Sequence, residues 1–154
     1  MKKLLLVVFL MTVFSAVGLG QDAVKSHLFL STTSQTVQCG TDTVFLIGLL
    51  HVNVRSVFSA DGQSQNVTVR SNADNVDGIS TVIGKYSVSG NGSSTLVGPA
   101  AGGSGDVVLK GKLEIDSNAS HQKKVGSILF TEHIFVDANG AAFATLGPLS
   151  ASCQ

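Results

Sequence analysis

The chain has 154 residues, 44% of them hydrophobic, with ten basic and ten acidic side chains, 17 glycines, two cysteines and no tryptophan. That length makes one domain, able to bury about two-thirds of its unfolded surface. No basic run is longer than the two residues of Lys123-Lys124, so the electrostatic footprint of a nucleic-acid binder is missing and nucleic acid is not an expected partner.

The chain opens with an export signal. Lys2 and Lys3 precede an apolar run from Leu4 to Val17, and small residues at Ala16, Gly18 and Gly20 offer a cleavage site before Gln21. This is the pattern of a secretory signal peptide. The run is shorter than the roughly 20 residues a spanning helix needs, so residues 1–20 are expected to be removed, leaving one secreted or periplasmic domain over 21–154 with no membrane span. Two of the ten basic residues leave with the signal, so eight remain against ten acidic ones.

In the mature chain SHLFLS predicts a short strand around His27 to Ser31, followed by a Ser/Thr/Gln-rich connection. From Thr43 to Ser59 the run would be about 55 Å long if straight, and Gly48 is the natural place for it to bend. Phe45, Ile47 and Leu49 lie on the parity that later carries His51 and Asn53, so that end is expected to be covered on both faces. Leu50, Val52, Val54 and Phe58 share the other parity. Ala60-Asp61-Gly62-Gln63 then marks a hairpin with a two-residue Asp-Gly turn. Its register sets Val54 against Val69, Ser56 against Val67, Arg55 against Thr68 and Asn53 against Arg70. A slip by one residue would place Val67 and Val69 against the polar row.

Asn72 to Gly78 is dense in turn residues and reads as a connection. A strand over Ile79 to Ser89 is expected next, with Val82, Tyr86 and Val88 on one face. Gly90 to Gly105, GNGSSTLVGPAAGGSG, reads as a flexible loop or lid. Asp106 to Asp116 alternates cleanly, Val107, Leu109, Leu113 and Ile115 against Lys110, Lys112, Glu114 and Asp116, as a strand with one solvated face. After a polar connection, Val125 to Val136 and Ala141 to Leu149 form a second hairpin about Asn139-Gly140.

No mature segment has the helical period, so the fold class is all-β, an antiparallel meander of about six to eight strands. Cys39 and Cys153, the only cysteines, are expected to form a disulfide in an oxidising compartment. Such a bridge would close the meander into a small β-barrel and remove its exposed edges. A β-sandwich is the alternative; the immunoglobulin form is disfavoured by the missing core tryptophan and by cysteines that span nearly the whole domain. A transmembrane barrel would need aromatic girdles, and the mature chain has no tryptophan and one tyrosine, Tyr86.

The succession Cys39-Gly40, Gly48 to His51, Ala60 to Gly62, Gly84 to Tyr86, His133, Asp137 to Gly140 and Ser150 to Cys153 resembles that of a group of small secreted bacterial β-rich proteins of unknown function. The resemblance covers most of the mature chain. Its elements are turns and strand fragments, and it implies no activity, cofactor or catalytic residue.

Candidate ligand-binding residues fall in two places. His51, Asn53, Arg55, Thr68 and Arg70 form a polar row across the first hairpin, and two arginines with a histidine suit an anion or a carboxylate. The plainer reading of that row is a solvated strand face. Glu132 and His133 are adjacent and so point to opposite faces. Either, turned inward, would be a site candidate, since burial raises a carboxyl pKa; a pairing of Glu132 with lysine or a rim position is the plainer outcome. Asn66, Asn91 and Asn118 each begin an Asn-x-Ser/Thr sequon. His27, His51, His121 and His133 lack metal-ligand spacing, and no Gly-x-Ser-x-Gly elbow or phosphate loop is present, so no catalytic residue, metal or cofactor is expected.

These observations predict a soluble, non-catalytic barrel holding a small, largely apolar ligand. The alternatives are a structural or surface-associated protein of the cell envelope, whose partner is another envelope or extracellular protein, and a barrel-type isomerase or cyclase using Glu132 or His133.

Overall fold

The computed structural model describes residues 23–33, 35–80, 82, 84–115 and 123–153. The expected signal peptide, the Asn118 sequon and His121 lie outside the described residues. Among the latter there are eight strands and no helix: β1 (Val24–Ser31), β2 (Thr36–Cys39), β3 (Asp42–Phe58), β4 (Ser64–Ser80), β5 (Lys85–Pro99), β6 (Gly102–Ile115), β7 (Lys123–Asp137) and β8 (Ala142–Cys153). All pairings are antiparallel, in the order β1-β3-β4-β5-β6-β7-β8. β2 follows β1 along the same edge of β3, opposite Asp42 to Phe45. The meander is thus a single sheet, curled into a half-barrel.

Alternation explains the curl. Along β3 every even-numbered side chain from Asp42 to Ser56 turns inward, interrupted only at Gly48, where there is no side chain. Val44, Leu46, Leu50, Val52 and Val54 meet Val67, Val69 and Val76 from β4, Tyr86 and Val88 from β5, and Leu109, Leu113, Ile128, Phe130 and Ile134 from β6 and β7. These side chains fill the interior. Burying each large aliphatic one contributes about 1.5 to 3 kcal/mol, which is what bends one sheet around one core.

The first hairpin has the expected register at all four positions: Val54 with Val69, Ser56 with Val67, Arg55 with Thr68 and Asn53 with Arg70. Its turn is longer than two residues. Gly62 N donates to Ser59 O at 2.9 Å and Ser59 N to Ser64 O at 2.9 Å, while the Asp61 carboxylate accepts from Ser59 Oγ at 2.5 Å and Gln63 N at 3.0 Å. The Asp137 carboxylate likewise accepts from Asn139 N at 2.8 Å and Ala141 N at 2.9 Å. That capping holds the second hairpin in a three-residue loop with Gly140 at φ 81°, in place of the expected two-residue turn.

Several expectations are corrected. Asn72 to Gly78 is no connection: β4 runs through it with a bulge, its pairing stepping from His51–Asn72 to Leu49–Asn75. Gly48 makes the bulge possible, since a Cβ there would lie 2.1 Å from the Asn75 carbonyl oxygen, and its φ is 147°. Ile79 to Ser89 is not one strand; β4 ends at Ser80 and β5 starts at Lys85, with Ser80 N donating to Gly84 O at 2.8 Å across the turn. Tyr86 and Val88 are buried as expected, but Val82 is exposed in that turn. Third, Phe45, Ile47 and Leu49 are not covered on both faces: they stand 42% to 48% exposed on the convex side, because no second layer packs there.

The Gly/Ser-rich stretch is no flexible loop either. It forms the second half of β5 and the start of β6, joined by a turn at Ala100-Ala101. Glycine here serves close approach. Residues Tyr86–Gly90 pair with Gly111–Ile115, and beyond Gly90 no ladder joins the two strands among the described residues. The two halves of the sheet splay there and lean face to face. Leu96 packs over Gly105, where an added Cβ would lie 3.1 Å from its Cδ1, and a Cβ on Gly90 would lie 2.6 Å from Gly111 Cα.

At the opposite seam the expected Cys39–Cys153 disulfide links β2 to β8, with Cα atoms 5.1 Å apart. Ala142 N also donates to Ser26 Oγ at 3.1 Å. No backbone ladder pairs β8 with β1 or β2 among the described residues. The barrel-like shape is closed by a covalent bond and side-chain packing, where the expected closure was of the sheet itself.

Candidate functional site

Three sets of polar side chains face inward: Ser56 with Gln65, a neutral pair whose Gln65 Nε2 also donates to Ala100 O and Asp137 O at 2.9 Å, and two sets that contain a carboxylate. Glu132, on β7 between Val107 of β6 and Leu146 of β8, is fully buried. The Ser71 hydroxyl of β4 donates to its Oε2, and Oε1 has no hydrogen-bond partner among the described residues. Burial pushes its pKa up, opposed by the weaker effect of the Ser71 bond. Glu132 therefore pairs across the interior with a serine and sits neither at a rim nor against a lysine, the two plainer outcomes. Asp42 accepts from Ser80 Oγ at 2.6 Å and from the Tyr86 hydroxyl at 2.8 Å. The buried Tyr86 is pushed up to about 12, first by burial and then by Asp42. Neither Glu132 nor Asp42 lines the recess between β5 and β6, which is bounded by Gln65, Val67, Leu96, Ile134 and Val136 and is small, about 30 Å³.

His133 points outward, separated from Glu132 as strand geometry requires. Its Nδ1–H donates to Asp106 Oδ1, and its ring stands edge-on to Phe135 with centroids 4.5 Å apart. The expected polar row is also outside. Asn53, Arg55 and Arg70 are exposed, and His51 and Thr68 are half-buried. Asn66 and Asn91, the sequon residues within the described chain, lie exposed on this same convex face. His51 meets Phe29 edge-on with centroids 4.9 Å apart, and Asn75 Nδ2 approaches its Nε2 at 3.5 Å.

The structure brings β1 to this row, which the sequence reading left out. β1 pairs in register with β3, so that Lys25 stands opposite Arg55, His27 opposite Asn53 and Phe29 opposite His51. The signal was present: Lys25, His27 and Phe29 alternate with Ser26, Leu28 and Leu30, and that parity was legible once the strand was extended to Val24. The His27 Nδ1–H donates to Asn53 Oδ1. On the other side β5 adds Thr95 opposite Thr68, Ser93 opposite Arg70 and Asn91 opposite Asn72. Lys25, His27, Asn53, Arg55, Thr68 and Arg70 line a surface hollow of about 320 Å³. Asn53 and Arg70 also line its neighbour, with Asn72, Asn91 and Ser93, so the hollows form one groove across four strands.

No protein-family model matches the chain, and neither the curated proteins nor the solved structures supply a match. Among the described residues no three His, Cys, Asp or Glu side chains are grouped to hold a metal ion, and no helix is long and apolar enough to cross a membrane.

Proposed function

We infer that this chain is an exported binding module that acts through its outer surface and carries out no chemistry of its own. What supports the reading is the filled interior. Its ionisable groups, Asp42 and Glu132, are enclosed among packed side chains, whereas the convex face offers a polar groove and exposed apolar side chains. A partner in the cell envelope or the extracellular space fits this division of labour. The disulfide suits an oxidising compartment, as does the signal-like first segment.

A small apolar ligand remains the second reading, favoured by one observation: the recess between β5 and β6 lies where the ladder stops and is lined mainly by apolar side chains. Occupying it would require the two strands to part. Native mass spectrometry of the protein isolated from its producing cells separates the two readings. A native mass equal to the denatured mass, together with co-sedimentation of the protein with isolated envelopes, is expected. A removable small adduct without co-sedimentation overturns the surface reading in favour of the interior one.

A further inference from the structure

We propose that the groove across β1, β3, β4 and β5 is a binding site for an acidic polysaccharide, held by Lys25, Arg55 and Arg70. The proposal rests on the surface-binding reading above and names the ligand class.

The argument starts from register. Lys25 lies directly opposite Arg55, which puts two like charges about 5 Å apart at Cβ, an arrangement that destabilises a strand pair. Arg70 sits diagonal to Arg55, beside Asn53, at about 7 to 8 Å. Three cations thus span three neighbouring strands of a chain whose mature part has more acidic than basic residues. Among the described residues no carboxylate forms an ion pair with any of them; the ion pairs there join Lys85 to Asp77 and His133 to Asp106. A cationic cluster without an internal counter-charge gains most from an anion brought by a ligand.

The groups between the cations narrow the class. Asn53, Thr68, Asn91, Ser93 and Thr95 are neutral amides and hydroxyls on the same face, suited to hydroxyl groups rather than to a continuous line of charge, while the Asn72 amide is engaged at both ends by Asp74. The His27 bond to Asn53 Oδ1 holds the Asn53 side chain by its oxygen, leaving the N–H groups of that amide to donate. At one margin the ring of Phe29, 61% exposed and braced edge-on by His51, offers an apolar face to a sugar ring. Spaced anions, many hydroxyls and a stackable ring face describe a chain of acidic sugars. Duplex DNA, with one charge per roughly 1.7 Å of axis, is far denser in charge than three spaced cations can match. A single strand of nucleic acid would need a series of stacking aromatics, and the two hollows are lined by no Phe, Tyr or Trp, Phe29 standing outside them at the margin.

The test is affinity electrophoresis of the purified, disulfide-bonded protein in gels containing polygalacturonate, with dextran as the neutral control. Retardation by polygalacturonate alone is expected, weakened at least tenfold in the double variant Arg55→Gln/Arg70→Gln. Lys123→Gln/Lys124→Gln removes the same charge at the start of β7 and should leave retardation unchanged. Both arginines are exposed, and matched melting curves check that the variant is folded. No retardation by polygalacturonate, equal loss in the two variants, or equal retardation by polyphosphate each overturns the proposal. Envelope co-sedimentation keeps the two claims apart: if Arg55→Gln/Arg70→Gln still sediments with envelopes as the parent does, the groove proposal fails while the surface reading stands.

Discussion

The β3–β4 hairpin and the β5–β6 pair are both long antiparallel neighbours, yet they are held in different ways. Between β3 and β4 backbone pairing runs almost unbroken from Phe58–Gln65 to Val44–Ser80, and from the Asp61-Gly62 turn to the bulge every inward position carries a side chain that packs. Between β5 and β6 pairing stops after Gly90, and the inward positions Gly92, Ser94, Gly98, Gly103 and Gly105 have little or no side chain. The first pair is joined by hydrogen bonds within one wall. The second lets two walls meet, and glycine is what brings them close enough to share a core. A curled sheet of one layer needs both: regular pairing to make the walls, and a place where the regularity fails so that they can face each other.

The opposite seam gives the strongest way to break this arrangement. There the walls are tied by the Cys39–Cys153 bond with no ladder to support it. Replacing both cysteines with alanine is expected to cost about 4 to 5 kcal/mol, an upper figure for so long a closed loop, read as a fall in the denaturation midpoint in urea. The same pair of substitutions would matter much less if a ladder joined β8 to β1. At the glycine seam Gly90→Val should cost about 3 kcal/mol, because its side chain would meet the backbone of Gly111 and Lys110 at 2.6 and 2.7 Å. Gly98→Ala, whose Cβ would have only Gly103 Cα at 3.8 Å, should be neutral. If residues 90–105 behaved as a flexible linker, the two changes would be indistinguishable in thermal unfolding.

The same contrast accounts for what could be read in the sequence. The first hairpin was legible to the residue pair, because Val67, Val69 and the even positions of β3 admit one register only. The disulfide followed from cysteine count and compartment. The seam was not legible, since glycine in a strand pressed against a neighbour and glycine in a loose loop are the same letters; the difference lies in what each meets across the seam, as Gly90 meets Gly111 and Gly105 meets Leu96. The Asn72–Gly78 stretch misled in the same way. Its turn-forming residues serve a bulge against Gly48, a tertiary use of local signals. At the groove, Asn53, Arg55 and Arg70 were visible as a row, but Lys25 and His27 became part of it only through the pairing of β1 with β3, which no local pattern specifies.

A buried side-chain bond joins the regular hairpin to the wall that faces it, at β7, and it gives the smallest and most specific test. Ser71 belongs to the regular hairpin and Glu132 to the facing wall, and their bond runs through the core. Burial raises the Glu132 pKa, so the folded state favours the protonated carboxyl. The stability tied to that proton is fully present below the ordinary carboxyl pKa and is lost as pH rises through the raised value. Glu132→Gln keeps the shape and a partner for Ser71 while removing the charge. The variant should melt with the parent near pH 4 and on the order of a few degrees above it at pH 8, with a flatter dependence of melting temperature on pH. A variant that melts below the parent at pH 8 would mean that the ionised carboxylate is itself stabilised in the core, by a donor to Oε1 that the described residues do not supply. The two walls would then be held together by charge as well as by packing.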